Sequence, residues 1–109
     1  MTMVDAINTI ETAKKDFAER ASHLVEGIST HGFVKVSYGA KGIDFSISAK
    51  LDNHDIELFA CHREDGNKNV ALGVSYKLDG SDEWDNRYSD DDTWHGLALV
   101  LVSLKRELA

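Results

Sequence analysis

The sequence predicts an α+β fold: one domain over residues 1–109, a four-stranded antiparallel β-meander with N- and C-terminal helices packed on one face, in the order α-β-β-β-β-α. Three observations predict it. Apolar residues recur every three or four positions at both ends of the chain, and they alternate in four successive runs through the middle. The connections between those runs are short and rich in Gly, Asp and Asn. A chain of 109 residues holds one core and is too short for two ordinary domains.

The first helix is expected over residues 3–28. Met3, Ile7, Ile10, Ala13, Phe17, Ala21, Leu24 and Ile28 line one face, while Glu11, Lys14, Lys15, Glu19 and Arg20 fall elsewhere. Thr2, with Asp5 three residues on, suits an N-terminal cap, and Gly27 or the "STHG" ending in Gly32 marks the exit. The period then changes to two. "FVKVSY" puts Val34, Val36 and Tyr38 on one face, and "GIDFSISAKL" does the same for Ile43, Phe45, Ile47, Ala49 and Leu51. In "DIELFACHR" the matching set is Ile56, Leu58, Ala60 and His62; in "NVALGVSYKL" it is Val70, Leu72, Val74, Tyr76 and Leu78. The turns "GAKG", "DNHD" and "EDGNKN" permit only antiparallel neighbours, hence a meander in sequence order. A last helix is expected over about 91–107 on Trp94, Leu97, Leu101, Leu104 and Leu108. Ser89 or Asp90 would cap it, Asp91 and Asp92 would lie in its first turn, and Lys105 and Arg106 in its last.

Charge is distributed unevenly. The stretch "DGSDEWDNRYSDDDTWH", from Asp79 to His95, holds seven acids against Arg87, and the other residues hold 12 acids and 11 bases. Nearly all of the formal net charge of −7 therefore belongs to this segment. Direct binding of nucleic acid is disfavoured, because phosphates require a basic face. Helix capping accounts for the later acids. Asp79, Asp82, Glu83 and Asp85 have no such duty, and Trp84 and Tyr88 stand among them. Aromatic anchors among like charges suit protein recognition, the rings supplying buried area and the charges steering approach.

Other chemistry finds little support in the sequence. Cys61 precedes His62 along a strand, so the two point to opposite faces and make no nucleophile–base pair. The histidines at 23, 31, 54, 62 and 95 lack metal-ligand spacing, and a zinc site on His54 and His62 is not expected. A calcium loop starting at Asp79 would need glycine where Trp84 stands. "GAKG" lacks the following helix of a phosphate-binding loop. No metal, cofactor or catalytic residue is expected. The longest apolar run, "LALVLV", is far below the ~20 residues of a membrane span. The opening "MTMVDAINTI" has no signal-peptide pattern, and a lone cysteine fits a reducing compartment, so a soluble cytoplasmic protein is expected.

The expected function is a non-enzymatic module binding another protein: an inhibitor or adaptor that occupies a basic surface through Asp79, Asp82, Glu83, Trp84, Asp85 and Tyr88. In size and charge alone, the chain is similar to compact acidic anti-restriction and anti-CRISPR proteins of bacteriophages and mobile elements. That likeness implies Asp and Glu standing in for nucleic-acid phosphates. The rival class is a small acidic dimeric secretion or assembly chaperone, which would bind its client on an apolar sheet or helix groove. A third, a small enzyme, would show a deep pocket lined by perturbed acids or histidines. Leu99 and Val100 exceed the apolar stripe that the last helix needs, so homodimerisation through them is a further expectation.

Overall fold

A computed structural model describes residues 3–39, 42–62, 70–78 and 80–108, with side chains of 3–8, 39 and 62 outside that description. The expectations for Thr2, Met3, Asp5, Ile7, the His62 side chain, Asp79 and the turns at 40–41 and 63–69 thus lie outside the described residues. The order is α1 (Met3–Ser22), β1 (Ile28–Gly39), β2 (Gly42–Leu51), β3 (His54–His62), β4 (Val70–Tyr76), β5 (Asp85–Tyr88) and α2 (Trp94–Leu108). The strands form one antiparallel sheet in the order β1-β2-β3-β4-β5. The meander is as expected, with five strands rather than four. The fifth lies within the acidic segment, where four acids close by mask its alternation.

Both helices cover the same face. Ile47, Ala49, Leu51, Ile56, Leu58, Ala60, Leu72, Val74 and Tyr76 rise from the sheet to meet Phe17 and Ala21 of α1 and Leu97, Leu101, Leu104 and Leu108 of α2. α1 lies over β1 and β2, and α2 over β4 and β5. Phe17 joins the two halves: its ring centroid is 6.0 Å from that of Phe45 and 5.5 Å from that of Trp94. Truncating a fully buried side chain such as Leu58 is worth about 2–5 kcal/mol in such a core.

The helix limits differ from expectation at two ends. α1 stops at Ser22, not residue 28, and Leu24, Val25 and Ile28 pack on the core from the turn and the start of β1. Gly27, at φ 90°, sets that turn. It sits in a clasp where Asp52 N–H donates to the Gly27 carbonyl at 2.9 Å and Lys105 Nζ donates to the Glu26 carbonyl at 2.9 Å. "STHG" therefore belongs to β1, since Ile28 and Thr30 pair with Leu51 and Ala49. Between His31 and Lys35 β1 bulges around Gly32 (φ 80°), throwing Phe33 outward to 92% exposure before pairing resumes. α2 begins at Trp94, three residues later than expected, because Asp92 takes a left-handed conformation (φ 58°) that no helix accommodates.

The opposite face of the sheet carries Ser46, Ser48, Glu57, Phe59, Ser75, Asn86 and Tyr88 on successive strands. Phe59 lies across Gly73, where a Cβ would overlap its ring, and meets Tyr88 edge-on with centroids 5.5 Å apart. Cys61 is half-buried on this same face.

Candidate functional site

The acidic segment is a built edge, not a loose loop. After β4, Ser81 N–H donates to the Leu78 carbonyl at 3.0 Å, closing a turn around Gly80. Ser81 Oγ then accepts from Glu83 N–H at 3.1 Å, which fixes the approach to Trp84. Lys77 Nζ sits 5.0 Å from the centre of the Trp84 ring, a cation–π contact that holds the indole in place while it stays 50% exposed. Asp85 to Tyr88 follow as β5, paired with Tyr76 to Gly73. The expected binding residues are therefore divided. Asp82, Glu83 and Trp84 lie on the connection, Asp85 and Tyr88 at the two ends of an edge strand, and Asp79 outside the described residues.

Arg87 does not neutralise its acidic neighbours. Its side chain projects to the helix-bearing face, where it forms a bidentate pair with Glu107 of α2, Nη2 donating to Oε1 at 2.7 Å and Nη1 to Oε2. Nε donates to the Tyr76 hydroxyl at 2.9 Å, and the guanidinium lies 5.1 Å from the centre of that ring. These bonds raise the Arg87 pKa further, the Glu107 bond first and the Tyr76 bond second, and hold the Glu107 carboxyl below its ordinary range. The only base of the segment is thus engaged in tying β5 to α2. Among the described residues, the side chains of Asp82, Glu83, Asp85 and Asp90 have no hydrogen-bond or ion-pair partner, and all four are exposed.

Between β5 and α2 the chain is tied by a compact knot. Ser89, 1% exposed, donates from its N–H to the Leu72 carbonyl at 2.8 Å. Its Oγ donates to the Thr93 carbonyl at 2.9 Å, with Asp91 Oδ1 at 3.2 Å as the alternative acceptor. Asp91 Oδ1 accepts from Thr93 Oγ1 at 2.6 Å and Thr93 N–H at 3.2 Å, while Thr93 Oγ1 accepts from Gly96 N–H at 3.0 Å. Thr93 is therefore the cap of α2, in place of Ser89 or Asp90, and Asp91 supports it from outside the helix. The Thr93 hydroxyl and amide hold the Asp91 carboxyl below its ordinary value of 3.8.

A groove of about 610 Å³ runs between β5 and α2, lined by Asn86, Tyr88, Asp90, His95, Leu99 and Val100 among others. Leu99 is 58% exposed in this groove, whereas Val100 is half-buried and packs on the core. The surplus apolar surface of α2 thus flanks the β5 edge. Tyr88, 48% exposed, contributes the opposite wall. A second cleft, about 270 Å³, lies among Phe17, Phe45, Leu72 and Trp94, with Asp16 and Asp92 at its margin. Among the described residues no three His, Cys, Asp or Glu side chains converge as a metal-ligand set, and no helix is long and apolar enough to cross a membrane. The two lowered carboxyls, Asp91 and Glu107, each owe their shift to a bond that holds the fold together. What the sequence did not reveal is that the acids border an open strand edge. Trp84, Asn86 and Tyr88 alternate, and that was the available signal. Comparison with family models, curated proteins and solved structures finds no match to this chain.

Proposed function

We propose that this protein is a non-enzymatic binding module, an inhibitor or adaptor whose acidic edge occupies a basic surface of another protein. The observation that carries this reading is the exposed group Asp82, Glu83, Asp85 and Asp90, without partners among the described residues, set beside the half-exposed Trp84 and Tyr88. Among the described residues these carboxylates carry no structural bond, and the Arg87 guanidinium is already committed to Glu107. Trp84, held under Lys77, is a preorganised anchor that loses little freedom on binding. Where the partner surface normally receives DNA or RNA, the carboxylates compete by replacing phosphates, the mode of the acidic anti-defence proteins.

The test is capture of partners from the source cell with the wild type and with D82K/E83K/D85K, followed by association rates on the purified pair. A basic protein retained by the wild type and lost by the variant supports the reading, with association slowed about tenfold or more and the wild-type rate steeply salt-dependent. A partner that associates equally fast with both at low salt overturns it. The exposed Leu99 favours a second reading, in which α2 meets an apolar client or another copy of the chain.

A further inference from the structure

We propose that β5 receives the partner as an added strand: an extended segment alternating basic and apolar residues pairs along its free edge, beneath the Leu99 side of α2. This rests on the acidic-edge reading above and specifies how the partner is held. The main-chain geometry sets the direction. Ser89 N–H points to β4, where it meets the Leu72 carbonyl, so in an antiparallel pair the N–H and C=O of Arg87 and Asp85 also point inward. Those of Asn86 and Tyr88 must then point outward, and among the described residues nothing pairs with them. Both residues line the 610 Å³ groove, so the unpaired donors and acceptors open onto a space that a strand can enter.

The walls of that space specify the occupant. Side chains of an added strand alternate between faces. Those turned toward α2 meet Leu99 and the exposed part of Val100, which calls for apolar residues. The alternate side chains pass the open face beside Tyr88 and reach the two ends of β5, where Asp82 and Glu83 precede the strand and Asp90 follows it, while Asp85 lies on the α2 side of its first residue. Those ends call for Lys or Arg, whose long stems span the distance. Arg87 at the groove wall does not oppose them, because Glu107 neutralises it. Charge also decides against a second copy of this chain as the occupant. Two β5 strands paired about a two-fold axis would bring two copies of the −6 segment together at one edge, where like charges repel.

The test uses the full chain at low salt and the synthetic peptide Lys-Val-Lys-Val-Lys-Val-Lys. Three controls accompany it: the Glu-for-Lys peptide, a peptide N-methylated at the residues that would face β5, and the protein variant D82K/E83K/D85K. The expected result is binding of the Lys peptide with slowed hydrogen exchange at Asn86 and Tyr88, at least tenfold weaker binding of the N-methylated peptide, and none of the Glu peptide. Binding that is lost in D82K/E83K/D85K but indifferent to N-methylation overturns strand addition and leaves the acidic-edge reading standing. Binding sensitive to N-methylation but indifferent to the charge reversal supports strand addition and removes the acidic-edge reading. No binding of the Lys peptide, or a free protein already dimeric at low salt with both amides protected, overturns the proposal.

Discussion

At the scale of single residues, Gly96 is constrained although its φ is not left-handed. A Cβ at Gly96 would overlap Ser89 Oγ and Asp91 Oδ1, the two atoms that close the knot before α2. Gly96→Ala should therefore cost about 1–3 kcal/mol, although alanine is the better helix former, and a urea melt reads that loss directly. A melt unchanged or improved would mean that the knot yields at no cost. Asp91 adds a pH dependence of definite sign. Its carboxyl is held below the ordinary value of 3.8 in the fold, so its stabilisation is complete above that pH and disappears as pH falls through the depressed value. The stability gap between wild type and Asp91→Asn should accordingly stay constant near neutral pH and shrink as pH is lowered below that ordinary value of 3.8. A gap that stays constant below that value as well would show that the ionised form is not what the Thr93 bonds require.

Among elements, legibility followed periodicity. α2, the middle three strands and the core residues Ile47, Leu58, Val74 and Leu101 could be read from spacing, because each buries one regular face. β1 was legible only from residue 33, since its bulge at Gly32 interrupts the alternation that joins its two halves. β5 was not legible. Its inward residues are Asp85 and Arg87, which carry no apolar signal, and it is held by a cross-element pair that no local pattern shows. Of the later acids expected to start the last helix, Asp91 supports its cap from outside and Asp90 has no partner among the described residues, while Asp85 and Tyr88 belong to a strand. Because Arg87 joins β5 to α2 through Glu107 and to β4 through Tyr76, Arg87→Met should free the edge with little global loss. An exposed pair of this kind contributes little to global stability. Native-state hydrogen exchange should speed up at Asp85, Arg87 and Ser89 while β2 and β3 amides keep their protection. Uniform acceleration across all strands would mean that β5 unfolds only with the whole molecule.

At the scale of the whole molecule, the described residues leave β1 and β5 as the two edges of the sheet, and each is guarded differently. β1 is bent by its bulge and carries Lys35; β5 is only 4 residues long and is surrounded by carboxylates. Under the proposed function, guarding the edge and recruiting a basic partner are one electrostatic arrangement, since a field that repels another copy attracts a cation. Beside the β5 edge stands Leu99, whose exposure offers apolar area to another copy once the repulsion is removed. Salt supplies that removal: the Debye length falls from roughly 20 Å at about 20 mM to roughly 4 Å at about 0.5 M. The protein should therefore sediment as a monomer at the lower salt and associate at the higher, and Leu99→Glu should abolish the association while leaving the fold intact. Leu99 is the residue to change, because Val100 also serves the core and its substitution would confuse interface with stability. A dimer that weakens as salt rises would reverse the argument: copies would then be held by charge pairs, and the acidic edge would be their meeting surface.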